Sequence, residues 1–305
     1  MIVIERIIEK KKKIGCEYKL NVPMSEYTSF KTGGAAEAMF LPSNEVQLRR
    51  LLSACAEENI TPFVLGNGSN ILVSDEGIKG VTIRLGSNFD QIKLLDETTI
   101  FCTAGTKLAK LCSFAMENSL TGLEFAYGIP GTAGGAAYMN AGAYGGEMKD
   151  VLYCCSHIDF GGNPGRLMGE QLGLGYRRSA YTDKYFVITG LTLKLRKGDK
   201  EQIRAKMSEL MQRRIDKQPL DLPSAGSFFK RPEGSFAGAL IEQCGLKGFS
   251  VGGAQVSEKH AGFIVNKGGA TTADIMELGR LVSQKVLEET GVSLEREVKY
   301  IGDKN

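Results

Sequence analysis

Histidine is almost absent from this chain of 305 residues, which contains only His157 and His260. The two histidines lie about 100 residues apart in sequence, which argues against a histidine-based metal centre. Neither histidine has a nucleophile signature nearby, so a Ser-His-Asp triad has no support either. We therefore expect no bound metal ion and no triad chemistry.

The cysteines lack the pairing and spacing that disulfide frameworks and zinc sites require. There are seven of them, an odd number, and no CxxC motif occurs. Cys154 and Cys155 are adjacent within a strand-like run. This pattern predicts reduced, mostly buried thiols, which are typical of a cytoplasmic protein.

The chain also lacks an excess of charge of one sign. It has 38 Lys and Arg against 35 Asp and Glu, a net charge of +3, so bulk electrostatics give no reason to expect nucleic-acid binding. The first residues, MIVIERIIEK, carry charges inside their apolar patch, which is not the pattern of a secretory signal. We expect no membrane-spanning segment, and we interpret the basic run at residues 10–13 as a solvated helix end.

Charge is missing altogether from one long stretch, residues 125–146, which reads FAYGIPGTAGGAAYMNAGAYGG. Its 22 residues include seven glycines and one proline. A membrane-spanning helix also needs about 20 residues, but glycine costs up to ~1 kcal/mol and proline ~3 kcal/mol each in a helix interior. The composition instead favours main chain lying close against a flat ligand. A buried turn between two strands remains the alternative.

Apolar periodicity predicts an α+β chain. Ser43 is expected to cap a first helix, and Thr106 to start a second one. Further helices are predicted over residues 199–217, 236–244 and 273–289. Short strand-like runs are PFVLG, NILVS, GVTIRL, QIKLL, TIFCTAG, VLYCCSHIDF, YFVITGLTLKL, GFIVN and LEREVKYIG. The pattern changes near Lys197, where we predict a domain boundary.

Two glycine-rich motifs are candidates for ligand binding. The first, GNGSNIL at residues 66–72, lies between two strand-like runs. A dinucleotide-binding fingerprint would need a glycine at position 71 and a following helix, and Ile71 and the next strand break both conditions. Successive N–H groups in this loop suit a diphosphate, although a simple hairpin turn is the competing interpretation. The second motif, GIPGTAGGAAYMNAGAYGGE, belongs to the uncharged run.

Three further motifs are uninformative one by one. They are GYRRSAY at residues 175–181, KQPLDLPSAGSFFKRP at residues 217–232 and LEREV at residues 294–298. In this order, together with GNGSNIL and the GIPGTAGG motif, they resemble those of the UDP-N-acetylenolpyruvoylglucosamine reductase family. The resemblance runs from YTSFKTGG at residue 27 to Gly302, and includes residues 247–266.

The resemblance implies a fold and a division of the chain. It implies an FAD-binding region of the vanillyl-alcohol-oxidase and para-cresol-methylhydroxylase type, followed by an α+β substrate-binding domain. We place these at residues 1–198, with a split into two subdomains near residue 86, and at residues 199–305. No room exists after Ser179 for the tyrosine loop and split βαββ element of the family's long form, so the chain resembles the short form.

The resemblance also implies the chemistry. The expected reaction is reduction of the enolpyruvyl ether on a UDP sugar to UDP-N-acetylmuramate, by noncovalently bound FAD with NADPH as hydride donor. It is a cytoplasmic step of peptidoglycan synthesis, and so of cell-wall biogenesis, cell shape and cell division. No nucleic acid, membrane insertion or obligate protein partner is expected. No dedicated NADPH motif is visible, consistent with NADPH and substrate using one cleft alternately.

Three residues carry the expected catalysis. Arg177 would stabilise the negative charge that develops on the substrate carboxylate. Glu297 would assist the enol, best as a neutral carboxylic acid, and Ser227 would protonate C2.

The remaining site residues are carried over by motif. Expected FAD contacts are Gly66, Asn67, Gly68, Ser69, Asn70, Ile129, Pro130, Gly131, Thr132, Gly135, Gly142 and Arg214. Expected substrate contacts are Asn140, Tyr144, Lys217, Arg231 and Gln255.

Two other functions remain open on these residues. One is another FAD-dependent sugar oxidoreductase of the same fold, and the other is a flavin-binding module without catalysis. Arg177, Ser227 and Glu297 argue against both, although a fold alone never proves an activity.

Overall fold

The computed structural model describes residues 2–182 and 184–302, which contain both helices and strands. The helices are α1 (Ile2–Glu9), α2 (Lys11–Ile14), α3 (Glu45–Glu57), α4 (Leu108–Glu117), α5 (Ala133–Tyr138), α6 (Lys200–Lys217), α7 (Ala237–Gln243) and α8 (Thr272–Thr290). In these two described ranges, no helix combines the length and the apolar character needed to cross a membrane.

The strands are short apart from a few longer ones. They are β1 (Glu17–Pro23), β2 (Ala35–Leu41), β3 (Phe63–Leu65), β4 (Ile71–Val73), β5 (Ile78–Arg84), β6 (Ile92–Leu94), β7 (Thr99–Thr103), β8 (Leu120–Thr121), β9 (Gly142–Ala143), β10 (Gly146–Glu147), β11 (Leu152–Asp159), β12 (Pro164–Met168), β13 (Phe186–Lys194), β14 (Arg196–Lys197), β15 (Ser250–Val251), β16 (Ala254–Val256), β17 (Ile264–Asn266) and β18 (Lys299–Ile301). This mixture confirms the α+β class predicted from the sequence.

The chain divides into two compact units, and both are discontinuous in sequence. Unit 1 consists of Met1–Leu20, Ala38–Asn67 and Gly80–Arg213. Unit 2 consists of Asn21–Glu37, Gly68–Lys79 and Arg214–Asn305. The sequence suggested a contiguous division near residue 198, because periodicity along a chain does not reveal which distant segments pack together. The two early segments of unit 2 therefore have no counterpart in that division.

Unit 1 contains an antiparallel five-stranded sheet in the order β12-β11-β13-β7-β6. The central strand β13 is buried almost continuously from Val187 to Leu193, because both of its faces are covered. Its Leu191 pairs with Cys155 of β11 on one side and with Cys102 of β7 on the other. The sheet thus supplies the rigid base of the unit's apolar core.

Helix α5 forms inside the uncharged run, although two of its six residues are glycine. The Gly134 N–H donates to the Ala104 carbonyl over 2.9 Å. A Cβ at position 134 would lie 2.7 Å from the Ala104 Cβ, so only glycine allows this approach. At this point the glycine is required by protein packing.

Two helix starts predicted from the sequence are wrong by one or two residues. The N-cap of α3 is Asn44 rather than Ser43, since the Asn44 side chain accepts from the Gln47 N–H at 3.0 Å. Helix α4 begins at Leu108, because the Thr106 hydroxyl is used elsewhere, in a bond to Asp90 Oδ1 at 2.9 Å. For α3 the neighbouring Ser43 and Asn44 both have capping side chains, and sequence does not rank the two. Helix α4 has Lys107 at its N-cap position and no side-chain cap.

Unit 2 is organised around helix α8. The carboxylate of Asp75, which follows β4, accepts from the N–H groups of Thr272 and Ala273 at the helix start. Strand β4 pairs in parallel with β18, and β15, β16 and β17 form a separate antiparallel sheet. Only Lys299–Ile301 of the predicted final strand LEREVKYIG forms a strand. The apolar face of α8 packs in a core that contains Phe30, Leu72 and Phe228.

We expect His157 to titrate below its ordinary value, because burial lowers the pKa of its imidazole while Asp159 opposes the effect weakly. Its Nδ1 lies 3.0 Å from the Tyr181 hydroxyl. As pH falls below about 6.5, the unfolded chain binds a proton that folded His157 resists, so stability is lost in that window.

NMR titration of the imidazole signals measures this directly, because the chain has only two histidines. Burial also lowers the pKa of His260, so a His260→Gln variant is needed to assign the His157 signal. A His157 midpoint at or above pH 6.5 would contradict the expectation.

Candidate active site

The loop at residues 66–70 joins β3 to β4 and presents main-chain donors. Across the ranges that the structure describes, no protein acceptor takes the N–H group of any of these residues. Gly68 has a φ of +64°, and a Cβ there would overlap the carbonyl oxygen of Tyr27. The Ser29 N–H donates to the Gly68 carbonyl over 3.1 Å. Consecutive main-chain donors in a held loop form an anion-binding surface, which suits a diphosphate.

Within unit 1, the start of this loop meets the uncharged run. The Asn67 side-chain amide donates to the Pro130 carbonyl at 2.9 Å. A Cβ at Gly66 would lie 2.7 Å from the Thr132 hydroxyl oxygen, which itself caps α5 by accepting from the Gly135 N–H. The two glycine-rich motifs predicted to bind the same cofactor are therefore joined at this point.

The surface at this junction is neutral and partly open. Asn67, Pro130 and Gly135 are exposed, whereas Ile129 and Gly131 are half-buried. Their carbonyl, amide and apolar groups carry no net charge, which fits a flat and polarisable ring system. Gly142 lies in the β9–β10 hairpin, where a Cβ would lie 2.8 Å from the Glu147 Cβ.

Arg177 lies at the tip of a tight turn. Gly175 and Arg178 pair across this turn, with the Gly175 N–H donating to the Arg178 carbonyl at 3.1 Å and the Arg178 N–H donating back at 3.2 Å. Arg177 itself has a φ of +55°, and its guanidinium carbon lies 5.0 Å from the centre of the Tyr176 ring. The predicted cation is thus presented by a turn in an unfavourable backbone conformation.

Ser227 and Glu297 are brought together on paired segments of unit 2. The Glu297 N–H donates to the Phe228 carbonyl over 2.9 Å, and Phe229 pairs with Arg296. Ser227 pairs with Phe263 and its side chain is exposed. The ring of Phe228 is fixed against Gly279 of α8, where a Cβ would lie 2.5 Å from a ring carbon. Two of the three expected catalytic residues therefore flank one buried aromatic anchor.

The other residues expected to contact the substrate or the FAD phosphates are found in several different elements. The Arg231 guanidinium lies 4.0 Å from the centre of the Phe236 ring, and the Gln255 amide nitrogen donates to the Gly248 carbonyl at 3.0 Å. Lys217 is the last residue of α6, which also contains Arg214. Tyr144 is 43% exposed and has a φ of +53°. These positions leave their predicted roles untested.

Asn140 is buried, with 1% of its surface exposed. Its amide nitrogen donates to Glu147 Oε2 at 2.6 Å and to the Gly175 carbonyl at 3.0 Å. Both side-chain N–H groups are therefore used by the protein, which sequence motifs did not indicate. The positive φ of this residue, +42°, was equally invisible in the sequence.

Comparison with known proteins decides the family. The model for an FAD binding domain matches residues 36–158, and that for the UDP-N-acetylenolpyruvoylglucosamine reductase C-terminal domain matches residues 218–301. A UDP-N-acetylenolpyruvoylglucosamine reductase of Syntrophomonas wolfei subsp. wolfei is 48% identical over 285 residues, 93% of this chain and 95% of that protein. The chain belongs to the UDP-N-acetylenolpyruvoylglucosamine reductase family. The motif-based resemblance is confirmed.

Two further reductases support this membership. One from Caldanaerobacter subterraneus subsp. tengcongensis is 46% identical over 302 residues, 98% of this chain and 99% of that protein. The crystal structure of the Thermus caldophilus UDP-N-acetylenolpyruvylglucosamine reductase covers 94% of this chain and 99% of its own, with a TM-score of 0.79 and 37% identity. The predicted enzyme class, an FAD-containing oxidoreductase, is confirmed for this reductase family member.

We expect Gly68→Ala to lower the FAD content of the purified protein sharply. The added methyl group would collide with the Tyr27 carbonyl, and an L-residue at a φ of +64° is strained. The loop would have to move, and its main-chain N–H groups would move with it. The ratio of flavin to protein absorbance measures the effect.

Gly161→Ala is the matched control for this change. It is a loop glycine without a positive φ, and a Cβ there meets only the ends of the Asp159 and Asn163 side chains, at 3.2 Å. It should retain full flavin content. Equal flavin content in Gly68→Ala and in the control would contradict the importance of the loop geometry.

Proposed function

We propose that this chain catalyses the NADPH-dependent reduction of UDP-N-acetylglucosamine enolpyruvate to UDP-N-acetylmuramate in the cytoplasm, as a step of peptidoglycan precursor synthesis. Family membership supports the reaction class. The observation that carries the catalytic assignment is the Glu297 to Phe228 main-chain bond, which sets Glu297 beside the segment of Ser227. The seven cysteines are free thiols, five of them buried, which suits a reducing compartment.

The two glycine-rich motifs, which contact each other at Gly66 and Asn67, are proposed to bind the cofactor. When bound, FAD supplies the hydride for the substrate after accepting one from NADPH. Residues 66–70 would hold the diphosphate through their main-chain N–H groups. Residues 129–132, Gly135 and Gly142 would line the ring system, with Arg214 as a further phosphate partner.

Arg177 and Glu297 act on the charge that develops in the substrate. Addition of hydride to C3 breaks the C=C bond and moves its electron pair to C2, where it is delocalised into the carboxylate. A guanidinium is permanently cationic and can pair with both carboxylate oxygens. Glu297 stabilises the enol form by hydrogen bonding. Such stabilisation is worth most where water is excluded.

Ser227 completes the addition by giving its hydroxyl proton to C2. The product then has one new C–H bond at C3 and one at C2, and the serine recovers a proton from solvent. A serine hydroxyl is a weak acid, so it depends on an electron-rich acceptor carbon. The cationic side chains of Lys217 and Arg231 suit the substrate diphosphate, and Tyr144 and Gln255 are proposed to contact the rest of the UDP sugar.

We expect NADPH oxidation by the FAD-loaded enzyme to depend on the enolpyruvyl UDP sugar. Ser227→Ala should lower product formation by about 100- to 10,000-fold, because the proton donor is lost. NADPH should still bleach the flavin of this variant, since that half-reaction needs no proton at C2. Stopped-flow absorbance and product chromatography measure the two half-reactions separately.

Ser224→Ala provides the control, because it removes a hydroxyl group only three residues away in the same segment. It should turn over at the wild-type rate. NADPH oxidation that is indifferent to the sugar would overturn the proposed function, and normal turnover by Ser227→Ala would overturn the role of Ser227.

A further inference from the structure

We propose that Asn140 and Ser179 are positioning residues that hold the Arg177 turn in its active shape. The proposal rests on the role assigned above to Arg177. It gives Asn140 a function different from the direct substrate contact that its motif suggested. Both residues act through the main chain of the turn.

The Arg177 turn needs external support because its tip is strained. A φ of +55° is disfavoured for any residue with a Cβ, and arginine gains nothing from it locally. Such a conformation persists only where surrounding contacts over-determine it. The pairing of Gly175 with Arg178 closes the turn but does not attach it to the rest of unit 1.

Asn140 supplies one attachment, at the start of the turn. Its amide nitrogen donates to the Gly175 carbonyl at 3.0 Å and to Glu147 Oε2 at 2.6 Å. Its amide oxygen accepts from the Lys149 N–H at 2.9 Å. With 1% of its surface exposed, Asn140 is shielded from a substrate. Its side chain instead joins three protein segments through buried hydrogen bonds.

Ser179 supplies the second attachment, at the end of the turn. Its hydroxyl donates to the Tyr138 carbonyl at 2.8 Å and accepts from the Tyr181 N–H at 3.3 Å. Tyr138 is the last residue of α5, two residues before Asn140. Both ends of the Arg177 turn are therefore tied to one short piece of the uncharged run.

Tyr181 adds a deeper anchor to the second attachment. Its ring is 1% exposed, and its hydroxyl lies 3.0 Å from His157 Nδ1 and 3.4 Å from the Cys155 carbonyl in β11. The central sheet thus fixes the chain just after Ser179. Loss of the Asn140 bond to the Gly175 carbonyl, or of the Ser179 bond to the Tyr138 carbonyl, frees one end of the turn. The central sheet and the contacts of Gly66 and Asn67 with residues 130–132 stay intact.

The test uses the FAD-loaded full chain and compares Asn140→Ala, Arg177→Ala and the double variant. We expect Asn140→Ala to lower kcat by about 10- to 100-fold through misplacement of the guanidinium. Flavin content and the rate of flavin bleaching by NADPH should stay at wild-type values. Because Asn140 acts through Arg177, the double variant should be no slower than Arg177→Ala alone.

Variants of Ser179 test the proposal independently, and one of them keeps the hydroxyl group. Ser179→Ala should lower kcat in the same way, and Ser179→Thr should restore most of it, since threonine keeps the hydroxyl group. Arg178→Ala is the control for Arg177→Ala, because it removes the neighbouring exposed cation. If Asn140→Ala fails to retain FAD, the Ser179 pair decides the question.

Three outcomes distinguish the failures. A wild-type enzyme that does not reduce the enolpyruvyl sugar overturns the proposed function itself. An Arg177→Ala variant with normal kcat overturns the role of Arg177, and the positioning proposal with it. A slow Arg177→Ala together with normal Asn140→Ala or Ser179→Ala overturns the positioning proposal alone, as does a double variant that is slower by the product of the single effects.

Discussion

The close approach of the uncharged run to the chain after β7 is the interaction on which the unit 1 site depends. Three main-chain bonds join residues 131–134 to residues 104–108, including Leu108 N–H to the Gly131 carbonyl at 3.0 Å. A side chain at Gly134 would abolish this approach. Before α5, Pro130 and Thr132 of this run contact Asn67 and Gly66. At its end, Tyr138 and Asn140 make hydrogen bonds to Ser179 and Gly175, which flank Arg177. One packing contact thus supports two elements of the candidate site, the start of the loop at residues 66–70 and the turn that contains Arg177.

In unit 2, a buried aromatic ring fixes the main chain next to the proposed catalytic residues Ser227 and Glu297. Phe228 is immobilised against α8, and its carbonyl accepts the Glu297 N–H. Its neighbour Ser227 faces solvent because alternate residues of an extended segment point to opposite sides. The carboxylate of Asp75 accepts from the first N–H groups of α8. Through Phe228 and α8, the segments of Ser227 and Glu297 are therefore linked to a residue far away in sequence.

The sequence predicted what depends on local chemistry and missed what depends on distant partners. Long periodic helices such as α6 and α8 were predicted to within about two residues, since their apolar faces repeat along the chain. The loop at residues 66–70 was recognised from its glycines and amides. The N-cap at Asn44 and the buried role of Asn140 were not, because each depends on which of several polar neighbours finds a partner. Ser179 belonged to a recognised motif, yet only the structure shows that its hydroxyl binds the Tyr138 carbonyl.

The discontinuity of unit 2 has a consequence for biosynthesis. Segments Asn21–Glu37 and Gly68–Lys79 leave the ribosome well before their partners after Arg214. The Phe30 carbonyl accepts a hydrogen bond from the side chain of Asn266, 236 residues later in the chain. The Asp75 carboxylate accepts from the N–H of Thr272. Contacts of such long range make folding slow and leave apolar surface such as Leu72 uncovered during translation. The apolar surface of these early segments therefore stays uncovered until helix α8 has been synthesised.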